Sequence, residues 1–579
     1  MSLVIHHRSP NNELVLGDEL NSLLRRVLRQ RGISSAIELD LGIGNLLPPD
    51  DMLGIEEAVD ILLSQLHKQG KLLIVSDFDA DGATSCALAV QALKSMGFAH
   101  VDYIVPNRFE YGYGLTPEIV ELAKKKNPDF IITVDNGISS HDGVLAAQGY
   151  GIGVVITDHH LPGSELPPAD AIVNPNQGGC DFASKSLAGV GVIFYLMLAL
   201  RARLRKQGWF EQENLPVPNM SVLLDLVALG TVADVVPLDQ NNRILVNEGL
   251  RRIRAGKTRP GILALLEIAR RQKENLVASD LGFAVGPRLN AAGRLDDMSL
   301  GIECLLSNSY SDAFSMALQL ENLNSDRKLI EAEMREEAFT SLEKFSLNEE
   351  KLPAGLCVYE ETWHQGVIGI LASRIKEKYH RPVIAFADVT DKRAKNKELK
   401  GSARSIQGFH IRDALDAIAS QHPGLVSKFG GHAMAAGLSL DKDCLPEFSR
   451  AFARYADERL GEDELNARIV TDGEVSIDKF SLDTAQALVD AGPWGQGFPE
   501  PMFDGLFKVR DQRVLADKHI KMVVSPADSE LLLDAIAFNV EPDRRPCEGA
   551  LLRLVYRLDV NTFRNVKRMQ LMVDQFAPA

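Results

Sequence analysis

Between residues 70 and 160 the chain repeats one pattern: a short apolar run rich in β-branched residues, a few turn residues, then an amphipathic stretch of helical spacing. That alternation is the signature of βαβ units, whose strands lie parallel with helices on both faces of the sheet. The clearest strands are Leu72 to Val75, Phe130 to Val134 and Ile152 to Ile156, each short and almost wholly apolar, as burial on both faces requires. The pattern predicts an α/β domain built on a parallel sheet. In such open sheets functional groups gather outside the carboxyl ends of the strands.

What stands at those ends is acidic. Asp77, Asp79 and Asp81 follow the first strand in SDFDADGATS, Asp135 ends the second in ITVDNGIS, and Asp158, His159 and His160 end the third in VITDHH. Carboxylates crowded into one turn repel one another unless cations neutralise them; a metal site is one resolution and a solvated acidic turn the other. Convergence of all three clusters on one crevice favours the metal, because adjacent histidines behind a third strand-end aspartate are hard to explain structurally. Asp234, set among apolar neighbours in LGTVADVVP, is costly to bury without a cation or a donor and is a fourth candidate. Carboxylates with one or two imidazoles suit Mn²⁺ or Mg²⁺. The six cysteines are scattered with no CxxC pair, which argues against structural zinc and fits a reducing cytoplasm.

At 579 residues the chain exceeds what one core organises, so about three or four domains are expected. The longest apolar run, Leu187 to Leu200, is shorter than the ~20 residues of a membrane-spanning helix and reads as a buried helix. From Gly301 to Pro353 there is no intervening glycine or proline, and Phe314, Leu318, Leu329, Met334, Phe339 and Leu342 recur at roughly helical spacing. This predicts a connecting helix long enough to join two bodies. The expected units are an N-terminal segment 1–45, the α/β domain 46–300, the connecting helix 301–350, a smaller α/β domain 351–462 and a small β-domain 463–579. A net charge of −16 argues against a generic nucleic-acid binder. Charge is uneven, however: eight Lys or Arg and one acid, Glu267, lie between Arg251 and Lys273, and Arg553, Arg557, Arg564, Lys567 and Arg568 form a second group. Either group is as readily a solvated face as a phosphate-binding surface.

The motifs together resemble the DHH phosphoesterase superfamily, and within it the single-stranded-DNA exonucleases. SDFDADGATS, TVDNGIS, TDHH and TVADVVP match its four metal motifs in order and spacing. PRLNAAGR (Pro287 to Arg294), WHQGVIGI (Trp363 to Ile370), GSARS (Gly401 to Ser405) and GGHAMAAG (Gly430 to Gly437) match its connecting region and second, DHHA1-type domain. WGQGFPEPMF (Trp494 to Phe503) is similar to the entry of its C-terminal OB-fold barrel. The resemblance implies two divalent ions bridged by Asp135, with Asp81, His159 and Asp234 completing one and Asp79, with Asp77, the other. It implies His160 at the scissile phosphate and Asp158 orienting the histidines. A 5′-end pocket of Ser402, Arg404, Gly430, Gly431 and His432 is expected, with Arg108, Arg288 and Arg294 as further phosphate contacts, an ion pair within the fold being the lesser alternative for each of the three. Trp494 and Phe498 are weak stacking candidates, and Lys518, His519 and Lys521 are candidate charges on the barrel. The implied activity is 5′→3′ digestion of single-stranded DNA in recombination and mismatch or excision repair. Single-strand-binding protein and a helicase are the implied partners, and a cytoplasmic, nucleoid-associated place follows. A two-domain phosphoesterase of small nucleotides is the nearest rival; a non-catalytic scaffold should have lost ligands that are all present here.

Overall fold

A computed structural model describes residues 4–9, 20–107, 111, 113–348, 352–389, 398–466, 468–563 and 566–579. The first strand, β1 (Ile5–His7), lies apart from the strands that follow it in sequence. β2 (Leu72–Ser76), β3 (Val101–Ile104), β4 (Phe130–Val134), β5 (Gly153–Thr157) and β6 (Ala171–Val173) make one sheet in the order β3-β2-β4-β5-β6. Every pairing in it is parallel. Side chains alternate as the strand period demands: Leu73, Val75, Ile131, Val154 and Ile156 enter one apolar cluster, and Leu72, Ile74, Ile132, Val134 and Val155 the other. Winding reverses between β2 and β4, so a crevice opens beyond their carboxyl ends. The apolar run at Leu187 becomes the buried helix Gly189–Lys206. Among the described residues no helix is long and apolar enough to cross a membrane.

The connecting helix spans Tyr310–Asn348, 39 residues. It starts later than Gly301, because Ser299–Leu306 is a separate helix and Ser307 and Ser309 exchange side-chain and backbone hydrogen bonds that replace helical ones. Its buried positions Ala313, Ala317, Leu320, Asn324, Arg327, Glu331, Met334 and Ala338 alternate by four and three residues, one continuous face. The apolar ends of that face pack against different cores. Its middle is polar: Glu331 accepts from Arg327 at 2.7 Å and from Arg374 of the second domain at 3.0 Å.

The second domain holds β7 (Leu356–Tyr359), β8 (Val383–Asp388), β9 (Glu398–Arg404), β10 (Lys428–Gly431) and β11 (Ala435–Asp441) in the order β10-β11-β9-β8-β7. Only β7 and β8 pair in parallel. After β12 (Ile469–Thr471), the strands β13 (Phe503–Leu515), β14 (His519–Pro526), β15 (Leu533–Ala537), β16 (Leu551–Phe563) and β17 (Val566–Pro578) close into a barrel, β13-β14-β15-β17-β16. The N-terminal segment docks on this end of the chain. β1 pairs in parallel with β12, and buried Arg31 holds buried Asp472 through two bonds of 2.6 and 2.8 Å.

Candidate metal centre

Each strand end delivers its acid for a local reason. Asp79 caps the helix Ala80–Ser95, accepting from the Gly82 amide at 3.0 Å, which leaves Asp81 buried in the first turn. Asp81 is then gripped by the opening of the helix Gly189–Lys206, accepting from the Gly189 and Val190 amides at 2.6 and 2.9 Å. Asp135 sits at φ +62°, in the left-handed region. A Cβ on Gly189 would stand 2.6 Å from Asp135 Oδ1, so only glycine leaves the carboxylate room. Asp234 ends the helix Leu224–Ala233 and is followed by Val235 at φ +63°.

These groups converge. Ligand atoms of Asp81, His159 and Asp234 lie within 4.8 Å of one another, as do those of Asp77, Asp79 and Asp135, and those of Asp135, His159 and His160. Asp135 joins the last two sets and His159 the first and last. His159 Nε2 stands 3.2 Å from Asp135 and 3.5 Å from Asp234. Burial, against the raising effect of a hydrogen bond to the Leu187 backbone, pushes the imidazole down to about 4, so the ring is neutral near pH 7. A neutral imidazole with one nitrogen close to two carboxylates is an arrangement that a cation between them can use. Asp135 Oδ1 and His159 Nε2 are buried and make no hydrogen bond to any described residue, the condition that a bound cation relieves. Burial and then the neighbouring acids raise the carboxyls of Asp135 and Asp234 well above the ordinary range, and Asp81 to about 7. The residues present therefore fit a pair of hard divalent cations.

Asp158 does something different. It accepts from His160 Nδ1 at 2.7 Å and from the His159, His160 and Ile138 amides. Burial alone would raise its carboxyl, but the His160 hydrogen bond and charge hold it below the usual range. Burial alone would lower His160, yet Asp158 lifts it to about 9. Asp158 thus touches both histidines, His160 through its ring and His159 through its backbone amide.

Three domain descriptions match the chain: the DHH family, N-terminal domain over residues 71–231, the DHHA1 domain over 353–458 and the RecJ OB domain over 471–575. The single-stranded-DNA-specific exonuclease RecJ of Escherichia coli (strain K12) is 53% identical over 99% of this chain and 99% of its own length. The chain belongs to the RecJ family. The RecJ of Haemophilus influenzae is 52% identical over 98% of each chain. The crystal structure of RecJ in complex with Mn²⁺ from Thermus thermophilus superposes with a TM-score of 0.78 at 27% identity, covering 97% of this chain and 76% of that one.

Of the phosphate-binding candidates in this RecJ-family chain, Ser402 and Arg404 lie two residues apart on one face of β9, opposite Gly437 and Ala435 of β11. Arg404 bonds to Ser402 Oγ at 3.3 Å and to the Ala403 carbonyl at 2.8 Å, pairs with no carboxylate among the described residues, and is pulled below the usual arginine value by burial. Gly430 and Gly431 close β10, and His432 begins the turn into β11; its ring stacks on that of His160, centroids 6.4 Å apart. The metal-centre imidazole and the glycine-rich turn of the second domain therefore face each other. Arg288 is held inside the fold by Glu321 at 2.5 Å, so a phosphate contact would require that pair to open. Arg294 donates to the Gly366 carbonyl across the domain boundary, and Arg108 lies outside the described residues. Trp494 and Phe498 are not free platforms. They stack on each other at 4.8 Å, Arg243 covers Phe498 at 4.4 Å, and Phe498 is buried. His519 packs edge-on to the exposed Phe538, and Lys521 stands 3.8 Å from Asp534.

Two further residues stand at the centre. Tyr113 places its hydroxyl 3.2 Å from His160 Nδ1 and 3.3 Å from the Asp135 carbonyl. Asn290, within PRLNAAGR, accepts from the Ala80 amide at 2.7 Å and so braces the acidic turn.

Proposed function

We propose that this protein is a single-stranded-DNA-specific exonuclease that digests from the 5′ end with two divalent ions, Mn²⁺ or Mg²⁺. The observation that carries the reading is the pair of orphaned, buried atoms, Asp135 Oδ1 and His159 Nε2, enclosed by further carboxylates. Asp135 would bridge the two ions, with Asp81, His159 and Asp234 on one and Asp77 and Asp79 on the other. When bound, such a pair lowers the pKa of water and neutralises charge on the phosphoryl oxygens and the leaving oxygen. His160, anchored through Nδ1 by Asp158, would contact the scissile phosphate and hold a proton there through Nε2, which the Tyr113 hydroxyl approaches to 3.3 Å.

The end pocket is read from chemistry. Arg404 is a half-buried cation that no described carboxylate pairs, and a terminal phosphate supplies the missing charge. Ser402, Gly430, Gly431 and His432 offer a hydroxyl, unobstructed backbone and a ring around it. A closed pocket that takes a terminus explains polarity and exonucleolytic action together. The five units expected from sequence, 1–45, 46–300, 301–350, 351–462 and 463–579, are proposed as the domain organisation, with the barrel as the platform for the incoming strand. Work alongside a single-strand-binding protein and a helicase, in recombination and mismatch or excision repair within the nucleoid, is supported by membership of the family.

The test is parallel digestion of 5′-labelled, 3′-labelled and duplex DNA with purified protein and Mg²⁺ or Mn²⁺. Early release of labelled mononucleotide from the 5′-labelled single strand alone is expected. Equal early release from the 3′ label, or from duplex ends, would reject the polarity and the strand preference.

A further inference from the structure

The metal turn and the proposed end pocket belong to different domains, yet an unbroken series of close contacts joins them. The helix Gly286–Leu295 lies against the acidic turn: besides the Asn290 brace, a Cβ on Gly293 would stand 1.7 Å from the carbonyl oxygen of Phe78, the residue between Asp77 and Asp79. The next residue passes the contact on. The Arg294 carbonyl oxygen lies 2.3 Å from where a Cβ on Gly366 would be, and Arg294 Nη1 donates to the Gly366 carbonyl at 3.2 Å. Three residues later, a Cβ on Gly369 would stand 3.0 Å from Ser402 Oγ and 3.1 Å from Arg404 Nη2. Side-chain contacts can repack. The first two links press backbone on backbone and cannot, so they hold the acidic turn at a fixed distance from the Gly366–Gly369 segment against which Ser402 and Arg404 rest.

We propose that the series Gly293, Gly366 and Gly369 is a spacer that sets how many nucleotides fit between the end pocket and the metal centre, and thereby the length of the released product. The inference rests on the reading of Arg404 and Ser402 as the seat of the terminal phosphate. With that phosphate anchored, the phosphodiester that reaches the metal centre is decided by the separation alone. The stacking of His432 on His160 at 6.4 Å shows how short the separation is. The three glycines touch no reacting atom in this scheme; they are positioning residues.

Gly366→Ala is the direct test, since its new methyl meets a carbonyl oxygen that only a shift of the helix or the turn can accommodate. On 5′-phosphorylated single strands, chromatography of the products is expected to show dinucleotides beside mononucleotides. The kcat/KM for the 5′ end should fall on the order of 10-fold to 100-fold, the cost of a displacement of about 1 Å. A folded variant whose products remain mononucleotides only, whatever its rate, overturns the spacer. Should Gly366→Ala not fold, Gly369→Ala replaces it: its methyl displaces the Ser402 and Arg404 ends that seat the terminal phosphate, and an unchanged product ladder from it also overturns the proposal. A wild-type protein that releases nothing from 5′ ends fails differently: it removes the end-pocket reading itself, and the spacer with it.

Discussion

Asp135 is held where its charge is least welcome, buried, beside four other aspartates, on a backbone in the left-handed region. A proton or a cation must offset that charge, and two expectations follow. Asp135→Ala should abolish turnover while raising the melting temperature of the metal-free protein, because one of several repelling carboxylates is gone. Scanning calorimetry with and without Mn²⁺ checks it; substantial Mn²⁺-dependent turnover by the folded variant would remove Asp135 from the centre. The second concerns pH. Asp81, Asp135 and Asp234 have raised carboxyls, so the folded metal-free protein binds more protons than the unfolded chain from about pH 4 upward. Their contribution to stability is present at low pH and is lost as pH rises through the folded values, about 7 for Asp81. His159, lowered to about 4, acts in the opposite sense, but it is one group against three. Mn²⁺ needs the carboxylates ionised, so its affinity should tighten between about pH 5 and 7 with release of protons, measurable by titration calorimetry in buffers of different ionisation enthalpy. An affinity flat across that window would mean the acids are already ionised in the metal-free protein. The acids and imidazoles that follow β2, β4 and β5 were legible in the sequence because each group comes directly after an apolar strand, and Asp234 because it stands among apolar neighbours. Tyr113 and the Leu187 carbonyl were not, since a lone tyrosine and a backbone oxygen carry no pattern that marks them.

Among the elements, the helix Gly189–Lys206 does more than fill the core. Its first two amides fix Asp81, and its first residue leaves space for Asp135. Gly189→Ala should therefore fold, since alanine suits a helix start, yet weaken Mn²⁺ binding by about 10-fold to 100-fold, the usual effect of disturbing what orients a metal ligand. Unchanged Mn²⁺ affinity in that variant would mean that Asp135 does not need the space. The sequence marked this segment only as an apolar run, with nothing to say that its N-terminus faces β2 and β4. The connecting helix was better signalled, through absent glycine and proline and recurring apolar residues. Its polar middle layer, Asn324, Arg327 and Glu331, escaped that reading because charged residues at helical spacing look like a solvated face until a second domain covers them.

Across the molecule as a whole, the N-terminal segment is fastened to the far end of the chain. Asp472 is buried and depends on Arg31 for two bonds, with Arg8 at 3.4 Å. Arg31→Ala leaves that carboxylate without its main partner and should cost about 3–5 kcal/mol of local stability. Hydrogen exchange should show the loss at β1 and β12, while digestion of short strands persists; unchanged protection there would show that the Arg31 pair does not anchor the segment. The parallel sheet, the acids at its strand ends, the connecting helix and the terminal β-domain could all be read along the chain, because each is written in local periodicity or in a compact motif. Folding in three dimensions was needed to show that the N-terminus docks on the barrel end, that Arg288 is engaged by Glu321, that Trp494 and Phe498 are enclosed, and that His432 faces His160. Those outcomes depend on which distant surfaces meet, and the energy of such a meeting lies in burial and charge pairing between segments that no local pattern connects.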